Sequence, residues 1–415
     1  MATFEIQTRL MENRFCMLYE QKPEFRVNNI VLLFKLLGDV LPDIFSDALS
    51  QVLQSHDLLR ARFEFRGARY VAVIREYSEY NLEVLRLDEC GHEALLAAMN
   101  AASRKVMYEP IVDPPIRVIL VIGLDGLGGV IMGIDHNIAD GHATNLICSD
   151  LFSAYGRLRK GESARIPPYT PCLAECSAAE DRYMHSAEAH AALIWWRNKL
   201  QGAVPATCMS NANTTPAHTT GWIDATKFNR IKSIARATQV SPSTVILAKY
   251  CQILGARNPG RPVVTKSVYS LRTEPFDARL VSNRIDHRIH VLYTAPQESL
   301  VSLSKKTHMT IIENYKHYIP YWHLTNVLYP DLYLSNCGFI GTEFNFVSDH
   351  KQSDSAWCED VTRIIPDGLH RRWETYQSGL VIFELGERLQ VNFVFDTEFV
   401  DVQESQAMIA HMVDW

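Results

Sequence analysis

The chain has 415 residues, of which 41 are Lys or Arg, 47 are Asp or Glu and 47% are hydrophobic, for a formal net charge of -6. This composition is typical of a soluble globular protein, and the length suffices for roughly two to three domains or two large lobes. The mildly acidic balance excludes nucleic acid as the main partner, because phosphate binding needs a clustered basic surface.

No secretion or membrane segment is expected. The chain begins with acidic and polar residues where a signal peptide would be basic and then apolar, which favours a cytoplasmic protein. The longest apolar run, residues 116–134, contains Arg117, Asp125 and a glycine-rich break, so it reads as two strands and a turn. The 9 scattered cysteines predict reduced thiols and no metal site.

Hydrophobic periodicity predicts alternating strands and helices in the first half of the chain. In chain order they are a helix after Pro42, strands at 70–74 and 82–87, a helix at 93–106, a hairpin of strands 116–123 and 130–135, and a helix after Gly141 that ends near 160.

The proline-rich segment 164–176 is the predicted linker, because Pro167, Pro168 and Pro171 forbid a helix there. It divides the chain into an N-terminal lobe of residues 1–175 and a C-terminal lobe of residues 176–415. The second lobe repeats the mixture of helices and strands. Its elements are a helix through Trp195-Trp196, a strand near 221–223, a helix at 241–256, strands at 263–271 and 284–293, a helix near 298–315, a hairpin at 380–385 and 389–395, and a last helix at 402–413.

The segment DHNIADG, residues 135–141, joins the N-terminal hairpin to the helix after it. A histidine at this strand end, with an ordinary pKa of about 6.5, can take a proton from a hydroxyl or an amine. Asp140 either orients the ring of His136 or holds the turn, and Gly141 lets the backbone pass close to a substrate. From the spacing alone, a buried core histidine is an equal alternative.

Residues 136–141 resemble the HxxxDG motif of the superfamily that contains BAHD acyltransferases, nonribosomal-peptide condensation domains and chloramphenicol acetyltransferase. Other resemblances occur in the family's order. They are SHDLLRARF at 55–63 to the condensation-domain pattern RHExLRxxF, residues 154–162 and 195–202 to segments after the motif, Ser270-Leu271-Arg272 with Ser282-Asn283 to the BAHD arginine strand and its following asparagine, and residues 332–338 to an SNxG stretch. Together they extend over about residues 40 to 410.

The resemblance implies a mixed α/β fold of two chloramphenicol-acetyltransferase-like lobes. Each lobe would have a mixed, mainly antiparallel sheet with helices, and a tunnel would lie between the lobes. An acyl thioester would enter from one side and the acceptor from the other. His136 would deprotonate the acceptor as it attacks, without a covalent acyl-enzyme. The chain is expected to be a monomer that stands alone.

The family's aspartate is structural, so the resemblance implies an arginine partner for Asp140. Arg272 is the first candidate and Arg60 the second. Two departures stand out: Asp135 replaces the first of two adjacent histidines of condensation domains, and the DFGWG signature of plant BAHD enzymes has no match. Asp135 either raises the pKa of His136 or points away from it. We favour the second, since neighbouring strand side chains face opposite sides.

Ser335, Asn336 and Asn345 are candidates to hydrogen-bond the substrate or a developing oxyanion, with strand-end turns as the alternative. No bound cofactor and no metal are expected. The co-substrate would be acyl-CoA or an acyl carrier protein, whose phosphopantetheine carries the acyl group as a thioester.

The sequence therefore predicts a metal-free acyltransferase of specialised metabolism. It would move an acyl group from a CoA or carrier-protein thioester to a hydroxyl or amine of a small molecule. Two alternatives stay open: the same scaffold used for cyclisation or epimerisation of a bound intermediate, and a non-catalytic docking module. His136, with Asp140 and Gly141, argues against docking, because a docking surface needs no base.

Overall fold

The protein is described by a computed structural model over residues 4–21, 29–67, 69–103, 114–167, 173–203, 216–272, 278–334, 338–348, 361–364 and 377–415. The chain divides into two compact units. Unit 1 comprises the described residues of Met1–Glu180, Leu271–Ile285 and Lys351–Leu369, and unit 2 those of Asp181–Ser270, Asp286–His350 and His370–Trp415.

Unit 1 contains two sheets. Its strands are β1 (Phe4–Gln7), β2 (Asn29–Leu36), β3 (Ala61–Arg66), β4 (Arg69–Ile74), β5 (Glu83–Arg86), β6 (Ile116–Ile122), β7 (Gly128–Asp135) and β12 (Val361–Ile364). The small sheet has the order β1-β4-β3, and the larger one has the order β12-β2-β7-β6-β5. The larger sheet is antiparallel except for β5 beside β6.

Helices cover both faces of the larger sheet in unit 1. The helices that begin in this unit are α1 (Leu10–Gln21), α2 (Pro42–Ser55), α3 (His92–Ser103), α4 (Gly141–Arg159) and α5 (Leu173–Met184). Because strand side chains alternate, Leu32 and Met132 lie in the cluster formed with α2 and α4, whereas Leu33 and Ile131 lie in the one formed with α3. Strand β7 is consequently buried along its whole length.

Unit 2 is built on one six-stranded sheet with the order β10-β9-β11-β13-β14-β8. The strands are β8 (Pro216–Ile223), β9 (Val263–Ser270), β10 (Ile285–Leu292), β11 (Thr342–Val347), β13 (Ser378–Leu385) and β14 (Arg388–Asp396). The helices are α6 (Ala187–Leu200), α7 (Ala225–Thr238), α8 (Pro242–Arg257), α9 (Leu300–Lys316), α10 (Tyr321–Leu328), α11 (Pro330–Leu334) and α12 (Val402–Val413). Strand β11 is parallel to both β9 and β13, whereas β14 is antiparallel to β13 and β8.

A buried ion pair lies in the sheet of unit 2. Lys266 and Glu343 are partners in the register of β9 and β11, and the Lys266 ammonium is 3.2 Å from a carboxylate oxygen of Glu343. His287 Nε2 lies 3.3 Å from the same oxygen. The Lys266 charge holds the pKa of Glu343 below its usual value despite the burial. Because both charges have left water, each depends on the other.

The helices and strands predicted from periodicity are present, and several further elements were not predicted. The unpredicted elements are β1, α1, β2, β3, α7, α10, α11, β11 and β12. The predicted linker is partly wrong, because Leu173 begins α5 and residues 173–176 are helical. Residues 168–172 lie outside the described part of the chain. The division into lobes at residue 175 stays a proposal, and the two compact units divide first at Glu180.

Candidate active site around His136

His136 follows the last residue of β7, where the buried strand turns toward α4. The Ile138 amide donates to the Asp135 carbonyl, which closes a tight turn over residues 135–138. His136 is half-buried, and its ring lies 5.8 Å from the ring of Phe15 in α1, centroid to centroid. The strand thus delivers one imidazole to the end of the sheet, beside an aromatic ring.

Asp140 forms the N-cap of α4. Its Oδ1 accepts a hydrogen bond of 2.8 Å from the Ala143 amide, which satisfies one of the free donors at the start of the helix. The helix dipole also favours a negative charge at this end. This carboxylate therefore determines where the turn after His136 ends and the helix begins.

The guanidinium of Arg272 binds both oxygens of Asp140. Nη2 donates to Oδ1 at 2.9 Å, and Nε donates to Oδ2 at 3.0 Å. Both side chains are buried, with 8% of Arg272 and 3% of Asp140 exposed. The Arg284 main-chain amide adds a further hydrogen bond to Oδ2. The buried negative charge of Asp140 is thus fully compensated.

Arg272 also holds the chain that follows it. Its Nη1 donates to the Leu280 carbonyl at 2.9 Å, and its Nη2 donates to the Ser282 carbonyl at 2.7 Å. One guanidinium therefore ties the segment around residues 280–284 to the helix cap that follows His136.

Arg60, the second candidate partner, is used elsewhere in unit 1. It binds the Asp57 carboxylate at 2.8 Å and donates to the carbonyls of Leu53, Gln54 and Arg75. These contacts join the end of α2 to the end of β4. The prediction of Arg60 as the partner of Asp140 is therefore wrong, because its donors serve its own neighbours in sequence.

Asp135 is fully buried, and Asn137 binds its carboxylate. The Asn137 amide donates to Oδ1 at 2.9 Å, and the Asn137 side chain donates to Oδ2 at 3.4 Å. Burial raises the pKa of Asp135 to about 7, which the hydrogen bonds from Asn137 only partly oppose. Cys16 of α1 lies close by, and burial together with the Asp135 charge raises the pKa of its thiol.

Gly141 is the first residue of α4 and is exposed. A methyl group added there would meet open space, and the backbone of Gly141 is outside the left-handed region. The fold itself therefore does not require glycine at this position. Any need for glycine must come from whatever approaches the helix start.

The remaining candidates lie apart from this turn in the sequence. Asn345 is half-buried in the middle of β11 of unit 2, where it pairs in register with Val381. Ser335 and Asn336 lie outside the described residues. Within the described part of the chain, no group of three or more His, Cys, Asp or Glu side chains is arranged to hold a metal ion.

Three residues that the sequence did not single out complete the surroundings of His136. Asn283 donates from its side chain to the His136 carbonyl at 2.8 Å. Arg9 donates to the Asn283 carbonyl at 2.7 Å and pairs with Glu180 at 3.2 Å. No local pattern marks Arg9 or Glu180, because each acts on residues far away in sequence. Asn283 was noticed only as part of a resemblance.

A family model described as the Condensation domain matches residues 7–415, so the chain belongs to the condensation-domain family. Condensation domains are acyl or peptidyl transferases that act on carrier-protein phosphopantetheine thioesters. No helix in the described ranges has both the length and the apolar character needed to cross a membrane.

Two curated relatives are large synthases. Bacitracin synthase 1 of Bacillus licheniformis is 23% identical over 304 residues, covering 68% of this chain and 6% of that protein. A linear gramicidin synthase of Brevibacillus parabrevis is 21% identical over 408 residues, covering 94% of this chain and 5% of that protein. The chain therefore spans only a small fraction of the length of these relatives.

Solved structures share the fold. The X-domain from teicoplanin biosynthesis has a TM-score of 0.80 at 14% identity, with 98% of this chain and 93% of that one covered. The first condensation domain of the CDA synthetase has a TM-score of 0.74 at 15% identity, with 99% and 97% covered. The mixed α/β fold predicted from the sequence is therefore confirmed.

Proposed function

We propose that this chain is an acyltransferase with His136 as its general base. It moves an acyl group from a phosphopantetheine thioester to a hydroxyl or amine of a small molecule in specialised metabolism. The observation that carries the proposal is the hold on the turn after His136: Asp140 caps α4 while Arg272 binds both of its carboxylate oxygens. Such a hold presents one imidazole at a fixed place.

The proposed reaction needs only one proton carrier. The neutral ring of His136 takes the proton from the acceptor O–H or N–H as that atom attacks the thioester carbonyl. The tetrahedral intermediate then breaks its carbon–sulfur bond, and the imidazolium returns the proton to the departing thiolate. The products are an ester or amide and a free thiol, and the protein is unchanged.

The negative charge that develops on the carbonyl oxygen needs hydrogen-bond donors. Ser335, Asn336 and Asn345 remain our candidates for this role. Asn345 supports it best among them, because its amide sits half-buried on a strand rather than on a free surface. Replacing Asn345 by Asp removes the amide donor at nearly constant volume, which would slow turnover if the assignment is right.

The family favours a carrier protein as the proposed donor, since condensation domains act on carrier-bound thioesters. Acyl-CoA carries the same phosphopantetheine arm and is the second donor to test. The acyl group leaves as part of a thioester in both cases. Release of thiol in step with acylated product therefore reports the reaction whichever donor is used.

The test is thiol release from acyl-loaded carrier proteins and from acyl-CoAs of increasing length, with a panel of small amines and alcohols as acceptors. We expect acceptor-dependent release, with a product mass equal to acyl group plus acceptor. His136→Ala should lower it by about 10² to 10⁴-fold. The matched control is His411→Ala, since His411 is exposed on α12 of unit 2.

Equal turnover in the His136→Ala and His411→Ala variants would overturn the assignment of the base. A product formed from a bound intermediate without acceptor would favour cyclisation or epimerisation instead. Docking is the second alternative, because the teicoplanin X-domain, which shares this fold, has been solved in complex with OxyB. Partner binding that survives His136→Ala, with no turnover of any thioester, would favour docking.

A further inference from the structure

Asn283 is fully buried in unit 1 and makes three hydrogen bonds in three directions. Its side-chain amide donates to the His136 carbonyl at 2.8 Å. Its side-chain oxygen accepts from the Ile285 amide at 3.2 Å. Its main-chain carbonyl accepts from Arg9 Nη1 at 2.7 Å. The side chain of Asn283 therefore has little freedom to move relative to the turn.

The hydrogen bond from Asn283 fixes one half of a peptide group whose other half is also held. The peptide between His136 and Asn137 presents its carbonyl to Asn283 and its N–H to Asp135 Oδ1, at 2.8 and 2.9 Å. A peptide plane with both polar groups bound cannot rotate without breaking a buried hydrogen bond. The direction in which the His136 side chain leaves the backbone depends on that plane.

Arg9 in turn holds Asn283. Besides the bond to the Asn283 carbonyl, its guanidinium pairs with the Glu180 carboxylate at 3.2 Å, and both side chains are buried. Glu180 also accepts from the Leu10 amide at 2.8 Å. The start of α1, the segment before β10 and the turn after β7 are thus joined through side chains that are far apart in sequence.

We propose that Asn283 is a positioning residue for His136, and that Arg9 keeps Asn283 in place. Asn283 acts through the main chain of His136 and sets the direction of its ring. This inference rests on the proposed function of His136 as a general base. Misplacing a catalytic group by about 1 Å can cost about 10²-fold in rate, so loss of this hydrogen bond should lower kcat.

The test compares Asn283→Ala with a matched control, Asn314→Ala. Asn314 is a buried amide in α9 of unit 2 whose side chain donates to the Ile289 carbonyl. Both variants lose one buried amide-to-carbonyl hydrogen bond, so both should melt at a lower temperature. We expect kcat to fall by about 10 to 100-fold in Asn283→Ala only, with KM for the thioester changed by less than about twofold.

A second measurement does not need turnover. In protein labelled with 13C-histidine, the ring signals of His136, assigned by their loss in His136→Ala, should shift in Asn283→Ala and stay in place in Asn314→Ala. Arg9→Met, which leaves Asn283 itself unchanged, should shift them in the same sense. Arg9→Lys, which keeps a donor for the Asn283 carbonyl, should restore part of the wild-type position.

Unmoved His136 signals in both Asn283→Ala and Arg9→Met would overturn the proposal. So would a loss of kcat in Asn283→Ala that Asn314→Ala matches. If wild-type protein turns over no thioester at all, the proposed function fails while the ring signals still decide whether Asn283 positions His136. If Asn283→Ala does not fold, the comparison of Arg9→Met with Arg9→Lys decides.

Discussion

Arg272 binds Asp140 through two hydrogen bonds, one to each carboxylate oxygen, although 132 residues separate them in the chain. The same carboxylate caps the helix that follows His136. A pairing that a merely stable fold could replace with apolar side chains is here located at the start of a helix, directly after the proposed base.

The first prediction concerns the coupling of this pair. Arg272→Ala should destabilise unit 1 by about 3 to 5 kcal/mol, because it leaves the Asp140 charge buried without its partner. Adding Asp140→Ala should cost much less than the sum of the single changes, with a coupling of at least about 2 kcal/mol. Urea denaturation of the four proteins measures this. Arg60→Ala combined with Asp140→Ala should be additive, and the reverse pattern would refute the pairing.

The second prediction concerns pH and Asp135. Its pKa is about 7 in the folded chain and near 3.8 when unfolded, so the folded state holds its proton more tightly. Stability from this group is therefore present at low pH and lost as pH rises through about 7. Asp135→Asn keeps the acceptor for Asn137 and removes the titration. Its stability relative to wild type should rise by up to about 4 kcal/mol between pH 4 and 8.

The comparison with wild type at each pH is essential, because other buried groups titrate in the opposite sense. Burial and the Arg288 charge lower the pKa of His290 to about 3, so this group loses stability as pH falls below about 6.5. The difference between Asp135→Asn and wild type removes that contribution. A difference that stays flat from pH 4 to 8 would show that Asp135 is ionised throughout.

The third prediction separates fold from function at Gly141. An added Cβ meets nothing within 4 Å, so Gly141→Ala should change the free energy of unfolding by no more than about 1 kcal/mol. If substrate passes the start of α4, turnover should nevertheless fall, through KM or kcat. Gly128→Ala is the contrasting variant, because its Cβ would lie 2.1 Å from Val40 Cγ2. Unchanged turnover in Gly141→Ala would place the substrate elsewhere.

The fourth prediction concerns the buried pair of unit 2. Glu343→Gln should destabilise this unit by about 3 to 5 kcal/mol, because Lys266 is then a buried charge without a counter-charge. Adding Lys266→Met should recover most of the loss, since it removes the stranded charge. Thermal unfolding followed by intrinsic fluorescence measures both. If Lys266→Met made the Glu343→Gln protein still less stable, the pair would not be an isolated ion pair.

The sequence predicted the elements whose side chains repeat at a regular spacing. The β6–β7 hairpin and α4 have such patterns, because each buries a continuous apolar face. Helix α1 was missed, since its sequence LMENRFCMLYEQ mixes charged and apolar residues without one clear stripe. Yet α1 supplies Phe15 beside His136, and the residue just before it is Arg9.

The candidate site was predictable only where it is local in sequence. His136 and Asp140 lie four residues apart, so strand, turn and helix cap could be inferred from one segment. Arg272 was found through a family resemblance, and Arg60 was proposed in the same way and is wrong. The link from Arg9 to Glu180 spans 171 residues, and no periodicity reports a contact at that separation.

The return of β12 to unit 1 has a consequence for the order in which the protein folds during synthesis. Strand β12, Val361–Ile364, pairs with β2, and Arg272 reaches back to Asp140. At about 5 to 20 residues per second, a ribosome needs roughly 7 to 26 seconds to add Arg272 after Asp140 has been made. Until then the charge of Asp140 has no guanidinium to bind, and one edge of β2 stays open until β12 is made. Unit 1 therefore cannot be completed before unit 2 is largely synthesised, and a nascent chain stopped after residue 180 should attract chaperones.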